Sequence, residues 1–494
     1  MLIQYYYLIL GSVFFCFTGF IYDSKANYYY KYLSLRSLWT GTFFFTIVLF
    51  FVEVYSYNSI SPLWISFFFN QTAFVYYVKL FIIILFLVFL ILNKDELLNP
   101  DVIKFELYAF FILSILGMFL VIDSCHFLSL YIALELLSIS LFLLIIFARK
   151  SVHSSEAGIK YIILNAGATG LLLLSILFIY RSFSILSITD LQLLLATAHP
   201  LVKQYAIIGL AILMLAFFLK LGVAPFHFWV ADIYQGALYS IMYFITVLSK
   251  IPYLILISKY TYYLNVWIEF NTIIISIGLL SLFLGAFSAI DQIEWNRFIA
   301  YAAINNLGYI IVCIGIGTRN SLTAAILYFL IYTLTTCAFL SLYTFVRTPT
   351  VATSSSNSIY TLSGLYYTKP LLAGLFTLLL CSYIGIPPFA GFYGKYFVFQ
   401  SLLQEQYYVS LLLVILSTML STVYYIRLIK IIYFSSKREL STELIITDSA
   451  PSKTINVYTY ISIFIIGYIS IIIVIFLYWL DFAYAISQYL SFIF

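Results

Sequence analysis

Apolar runs of about twenty residues recur from one end of this chain to the other, and no other feature so limits what it can fold into. A run of that length crosses a hydrocarbon core of about 30 Å as one α-helix. Lipid offers no partner to exposed backbone groups, so only helices and closed barrels span it. The runs lie near residues 4–22, 38–56, 72–93, 105–122, 127–147, 157–180, 204–228, 238–258, 271–290, 297–316, 321–346, 370–404, 408–432 and 457–481. They predict an all-α polytopic membrane protein of about fourteen transmembrane helices. A soluble globule is excluded: 64% of the 494 residues are hydrophobic and 9% are charged, against about 25% charged in soluble domains.

The charges that remain set topology. Counting Lys and Arg, odd-numbered connections hold about 13 and even-numbered ones with both termini about 4, so both termini are expected on the electrically positive side. The main basic loops are 23–37 (Lys25, Lys31, Arg36), 148–156 (Arg149, Lys150) and 433–456 (Lys437, Arg438, Lys453). A net charge of +5, scattered along the chain, does not suit nucleic-acid binding. Met1 leads straight into a full-length span, and no removable leader is expected. Cys16, Cys125, Cys313, Cys337 and Cys381 and the four histidines are dispersed, without zinc or iron–sulfur spacing. The 48 Phe and 46 Tyr fit the codon use of an AT-rich genome, such as a mitochondrial one.

Two spans carry breaks. In Leu219-Lys220-Leu221-Gly222-Val223-Ala224-Pro225-Phe226-His227-Phe228-Trp229, a lysine deep in an apolar run is followed five residues later by proline. Pro225 has no N–H and frees the carbonyl of Leu221. Such irregular backbone persists at membrane depth only against protein or a watery cavity. The run 370–404 is too long for one straight helix and carries Gly385-Ile386-Pro387-Pro388 at its middle, so it reads as two half-helices around Pro387 and Pro388. Counted in spans, the breaks fall fourth in 4–8 and fourth in 9–13, as expected of two inverted five-helix repeats with discontinuous spans 7 and 12. The organisation expected is therefore three N-terminal helices (1–104), a first repeat (105–260), a second repeat (261–433), and a loop with a last helix (434–494).

Glu135, Lys160, Lys220, Lys250 and Lys395 lie well inside spans, where an ionisable group costs roughly 2.5–3.5 kcal/mol on insertion scales. Lys160 stands one turn after Glu156, so a solvated i,i+4 pair or snorkelling competes with an interior role. Glu135 has no basic residue three or four positions away; a salt bridge to another helix is the structural alternative. Burial and a carboxylate neighbour pull a lysine in opposite directions, and a lysine so placed can switch between charged and neutral. Glu53 and Lys79, nearer span ends, are assigned to snorkelling or local pairing, and Arg427 and Lys430 to anchoring on the basic side. His227, beside the first break, is a proton-relay group, a satisfied core histidine or a helix cap.

At these residues a family resemblance emerges. Ser129 to Leu136 (SLYIALEL), Glu156 to Tyr161 (EAGIKY), Lys220 to Asp232 with Ala224 to Trp229 (APFHFW), Asn296 to Tyr301 with Gly308-Tyr309, and Gly385 to Phe392 (GIPPFAGF) with Lys395 resemble the subunit 2 family of NADH:ubiquinone oxidoreductase (complex I). This is one of the antiporter-like membrane-arm families, and the likeness runs from about residue 105 to 432. It implies that Glu135 pairs with Lys220, that Lys250 is the central lysine, Lys395 the distal one, and Lys160 a further one, together a proton path. A lysine at 395 disfavours the related subunit 4, which carries an acid there. Ala231 and Gln235 depart from the family's proline and glutamate.

The resemblance implies a proton-translocating subunit that couples NADH:ubiquinone electron transfer to pumping and binds no cofactor itself. NADH, FMN, iron–sulfur clusters and ubiquinone are expected elsewhere in the complex. Expected partners are the other membrane-arm subunits, including the antiporter-like ones, and lipid. The expected location is the mitochondrial inner membrane, termini toward the intermembrane space, with a bacterial plasma membrane as the alternative. Rival readings are a subunit of a multi-protein cation/proton antiporter and a structural membrane spacer with static buried salt bridges.

Overall fold

The structure, a computed structural model, describes residues 2–23, 28–56, 68–69, 72–99, 104, 106–148, 151–197, 199–264, 268–346 and 358–434. The expected span at 457–481, the chain termini and the basic residues Lys25, Arg149, Lys150, Lys437, Arg438 and Lys453 lie outside the described residues. The main helices are α1 (Leu2–Asp23), α2 (Tyr28–Ser56), α3 (Ala73–Leu92), α4 (Glu106–Asp123), α5 (Phe127–Ile145), α6 (Val152–Phe183), α7 (Pro200–Leu221) and α8 (Phe228–Gly236). They continue as α9 (Tyr239–Val247), α10 (Lys250–Leu264), α11 (Ile268–Ile290), α12 (Trp295–Ile316), α13 (Arg319–Val346), α14 (Pro370–Ile384), α15 (Ala390–Gln404) and α16 (Tyr408–Phe434). Among the described residues there is no strand, only isolated bridges between connections such as His126 with Ser187.

Eleven segments of the described chain are long and apolar enough to cross a membrane. The 22-residue α1 and the pair α14/α15 occupy two more of the expected runs. Among the described residues, contacts divide the chain into two compact units, one comprising residues 2–222 and 226–264, the other residues 223–225 and 268–434.

Both expected breaks are present, and they use the same chemistry. α7 stops at Gly222 (φ +71°) and α14 at Gly385 (φ +88°), each in the left-handed conformation that glycine adopts without strain. The Gly222 N–H returns to the carbonyls of Phe218 and Leu219, and the Gly385 N–H to those of Cys381 and Ser382. Proline follows each cap, at Pro225 and at Pro387-Pro388, and prevents the helix from resuming at once. Both breaks contain a cis peptide bond, Ala224–Pro225 and Pro387–Pro388.

Span eight, expected as one continuous helix, is interrupted as well: α9 ends at Val247 and α10 begins at Lys250. The cause is Pro252, whose missing N–H would have bonded the Leu248 carbonyl. Ile251 takes that carbonyl instead through a tighter bond (3.2 Å), and Ser249 Oγ turns back to the Ile245 carbonyl (2.7 Å). The interruption sits directly in front of Lys250.

At the second break, α15 starts hard against the end of α14. The Gly391 N–H donates to Ser382 Oγ (3.2 Å), and a Cβ added at Gly391 would lie 1.8 Å from the Ser382 carbonyl oxygen. Gly391→Ala is therefore expected to separate the half-helices at a cost of about 3 kcal/mol and to lower the amount of assembled protein, as read by native electrophoresis.

Candidate functional site

Lys220 occupies the last turn of α7, two residues before its glycine cap, and is 8% exposed. Its ammonium nitrogen has no hydrogen-bond partner among the described residues. Glu135, at the middle of α5, is near enough for its charge to act on Lys220, although the two form no contact ion pair, and its carboxylate accepts from Ser138 Oγ (3.4 Å). Trp229 of α8 donates its indole N–H to the Leu219 carbonyl (3.1 Å) and so ties the short helix after the break to the turn carrying Lys220. The amine and the carboxylate are thus neighbours that are not clamped to one another.

Lys250, the first residue of α10, is 5% exposed and also lacks a hydrogen-bond partner among the described residues. Its nitrogen lies 5.7 Å from the centre of the Tyr234 ring, a cation–π distance that still allows the nitrogen to move. Lys395, on α15, is held differently. It donates to the carbonyls of Tyr383 (2.8 Å) and Ile384 (2.9 Å), the open end of α14, and lies 5.5 Å from the Tyr309 ring centre. A cation at a helix C-terminus meets carbonyls that have no partner within the helix. The second half-helix thus supplies the charge that caps the first.

Lys160 is placed otherwise than in a buried row. Its side chain is 39% exposed and bridges Glu156 and Asp232, both at 2.6 Å. The i,i+4 pair read from the sequence is present, and Asp232 joins α8 to α6. His227 immediately precedes α8 with its ring stacked on Phe228. Glu135, Lys160, Lys220, Lys250 and His227 belong to the first unit and Lys395 to the second. Along the chain, Pro225 follows Lys220 and Pro387-Pro388 precedes Lys395, as the sequence implies.

One charged cluster escaped the sequence reading. Lys79 and Glu53, expected to snorkel or pair locally, are both wholly buried. Lys79 Nζ lies 2.5 Å from Asp123 Oδ2, both side chains at 0% exposure. The Tyr5 hydroxyl donates to the same carboxylate, and Glu53 is near enough for Lys79 and Asp123 to act on it. Four helices, α1 to α4, each contribute one member. Asp123 is the last residue of α4, and its partner is 44 residues away along the chain. The available signal was that Lys79 and Glu53 have no opposite charge within a helical turn. Arg427 donates to the carbonyls of Ile290 and Gln292, and Lys430 is exposed.

Among the described residues no three His, Cys, Asp or Glu side chains gather as metal ligands. In the first unit, two buried lysines and a mid-helix glutamate stand near helix interruptions; in the second, Lys395 stands beside one.

Residues 124–421 match the family described as NADH:quinone oxidoreductase/Mrp antiporter, transmembrane. The chain is 32% identical over 390 residues to the NADH-quinone oxidoreductase subunit N of Azobacteroides pseudotrichonymphae genomovar. CFP2, covering 78% of this chain and 79% of that protein. Its fold is similar to a chain of respiratory complex I from Thermus thermophilus with bound aureothin (TM-score 0.75, 20% identity, 96% and 97% of the two chains covered). It is similar also to a chain of the membrane-bound sulfane sulfur reductase, an archaeal respiratory membrane complex (TM-score 0.80, 20% identity, 98% and 96% covered). The match spans more than half the chain and includes Glu135, Lys160, Lys220, Lys250 and Lys395: the chain belongs to the NADH:quinone oxidoreductase/Mrp antiporter transmembrane family.

Proposed function

We propose that the chain is a proton-translocating membrane-arm subunit of respiratory complex I, of the subunit 2 (subunit N) type. Protons move by way of Glu135, Lys220, Lys250 and Lys395, while NADH oxidation and ubiquinone reduction take place on cofactors carried by other subunits. The observation that carries this reading is the placement of three buried lysines beside interruptions of spans seven, eight and twelve. Two of these lysines have no hydrogen-bond partner among the described residues. A static spacer has no use for them, because a buried charge without a partner costs several kcal/mol.

In the first unit, Lys220 is charged when the carboxylate of Glu135 stands close and can release its proton when that influence weakens. Lys160, bridging two carboxylates at the surface, serves in this scheme as a clasp for α8 as well as a charge near the path. Glu135→Gln keeps the shape and removes the counter-charge, so coupled turnover is expected to fall about tenfold with the complex still assembled. NADH oxidation and proton uptake in sealed vesicles check this.

The mitochondrial inner membrane, with the termini toward the intermembrane space, is the location this reading favours, and a bacterial plasma membrane is its alternative. Curated relatives named as subunit N support complex I over a cation/proton antiporter. Native isolation of the membrane separates the two: co-migration of the chain with NADH dehydrogenase activity is expected, whereas an antiporter would migrate apart from it and confer sodium-dependent growth.

A further inference from the structure

Beside Lys220 lies a small cavity with room on the order of one water molecule. Its polar lining comes from three helices: Tyr161 and Asn165 on α6, Lys220 on α7 and Tyr253 on α10. Trp229 closes one wall, fixed there by its bond to the Leu219 carbonyl and by edge-on contact with the Tyr161 ring (centroids 5.9 Å apart). Lys220 is more than nine-tenths buried, and its nitrogen has no hydrogen-bond partner among the described residues. The phenols of Tyr161 and Tyr253 both lie within the influence of Glu135, and Tyr161 within that of Tyr253. One amine, two phenols and an amide therefore line a space where a water would find the two to four polar partners it needs.

Tyr253 matters because of where its helix leads. It stands three residues after Lys250 in α10, and residues at that spacing share a helix face with Cβ atoms about 5–6 Å apart. The cavity thus opens Lys220 to the helix face that presents Lys250.

We propose that this cavity is a hydration site and that Tyr253 relays protons through it between Lys220 and Lys250. The proposal rests on the proton-translocating reading above and adds the connecting group. In the relay, the Lys220 ammonium gives a proton to the water, and the water passes one to the Tyr253 oxygen. The phenol releases its own proton toward the neutral amine of Lys250. One O–H bond forms on Tyr253 as another breaks, so it ends unchanged, with no oxidant or reductant involved. Tyr161 and Asn165 orient the water and carry no net proton.

The test uses the full chain in the assembled complex, with proton uptake per NADH and its solvent deuterium isotope effect measured in sealed vesicles. Tyr253→Phe keeps the ring and removes only the hydroxyl, and about a tenfold loss of coupled turnover with an altered isotope effect is expected. A packing role would be untouched by this change. Ala168→Leu, filling the cavity from α6, is a second variant that removes the water without touching Tyr253, and the same loss is expected. If either variant assembles and pumps normally while Lys220→Met does not, the relay is overturned and the functional reading stands. Normal pumping in Lys220→Met as well overturns both.

Discussion

Lys395→Met is expected to leave a complex that still assembles but whose proton pumping falls by about tenfold or more. Among the described residues, the ammonium of Lys395 is the only side-chain donor on the Tyr383 and Ile384 carbonyls, at 2.8 and 2.9 Å. Methionine fills the same volume without charge. Two carbonyls at the end of α14 then lose a donor, at about 1–3 kcal/mol if they stay buried. That is small for a polytopic protein and leaves α13, α14 and α15 packed together as before. What disappears is the one buried lysine amine among the described residues of the second unit. Arginine at the same position would restore the cap but not a group that gives up its proton easily. Recovery of assembly without recovery of pumping in Lys395→Arg would separate the two duties of this residue.

A larger structural effect is expected in the N-terminal helices. Lys79→Met leaves the wholly buried Asp123 carboxyl without its cation and, among the described residues, with only the Tyr5 hydroxyl as side-chain donor, and Asp123→Asn leaves Lys79 without its counter-charge. Removing one partner of a buried pair costs about 3–5 kcal/mol, enough to deplete the assembled complex in a native gel. The double change Lys79→Met with Asp123→Asn removes both charges and is expected to recover much of that loss. Recovery in the double variant, with pumping retained, marks the cluster as a lock that fixes α1 to α4 against one another. Full assembly of either single variant would refute the lock.

These two results bear on what a sequence of this kind reveals. Spans were legible because lipid demands about twenty apolar residues per helix, and breaks were legible because glycine followed by proline leaves a helix no way to continue. Pro252 carries the same message for span eight, yet a proline in the first turn of a helix is also ordinary. The interruption before Lys250 was therefore hidden behind an acceptable alternative. Lys220, Lys250 and Lys395 stood out by their depth in apolar runs. Asp123 did not, since a carboxylate at the end of a span looks solvated until another helix covers it. Likewise Asp232 and Lys160 are 72 positions apart, and only the fold of α8 back onto α6 shows that this lysine pairs with Asp232 as well as with Glu156. Pairing between residues remote along the chain is the part that apolar runs and break motifs do not encode.

The central claim, that buried lysines of this chain carry protons coupled to NADH oxidation, is tested most directly by the Lys220→Met variant of the full chain. Membranes containing the assembled complex are sealed into vesicles, and protons translocated per NADH oxidised are measured beside the unaltered protein. The account predicts normal assembly with a reduced proton-to-electron ratio or turnover that falls with pumping. An unchanged ratio at unchanged turnover would contradict it.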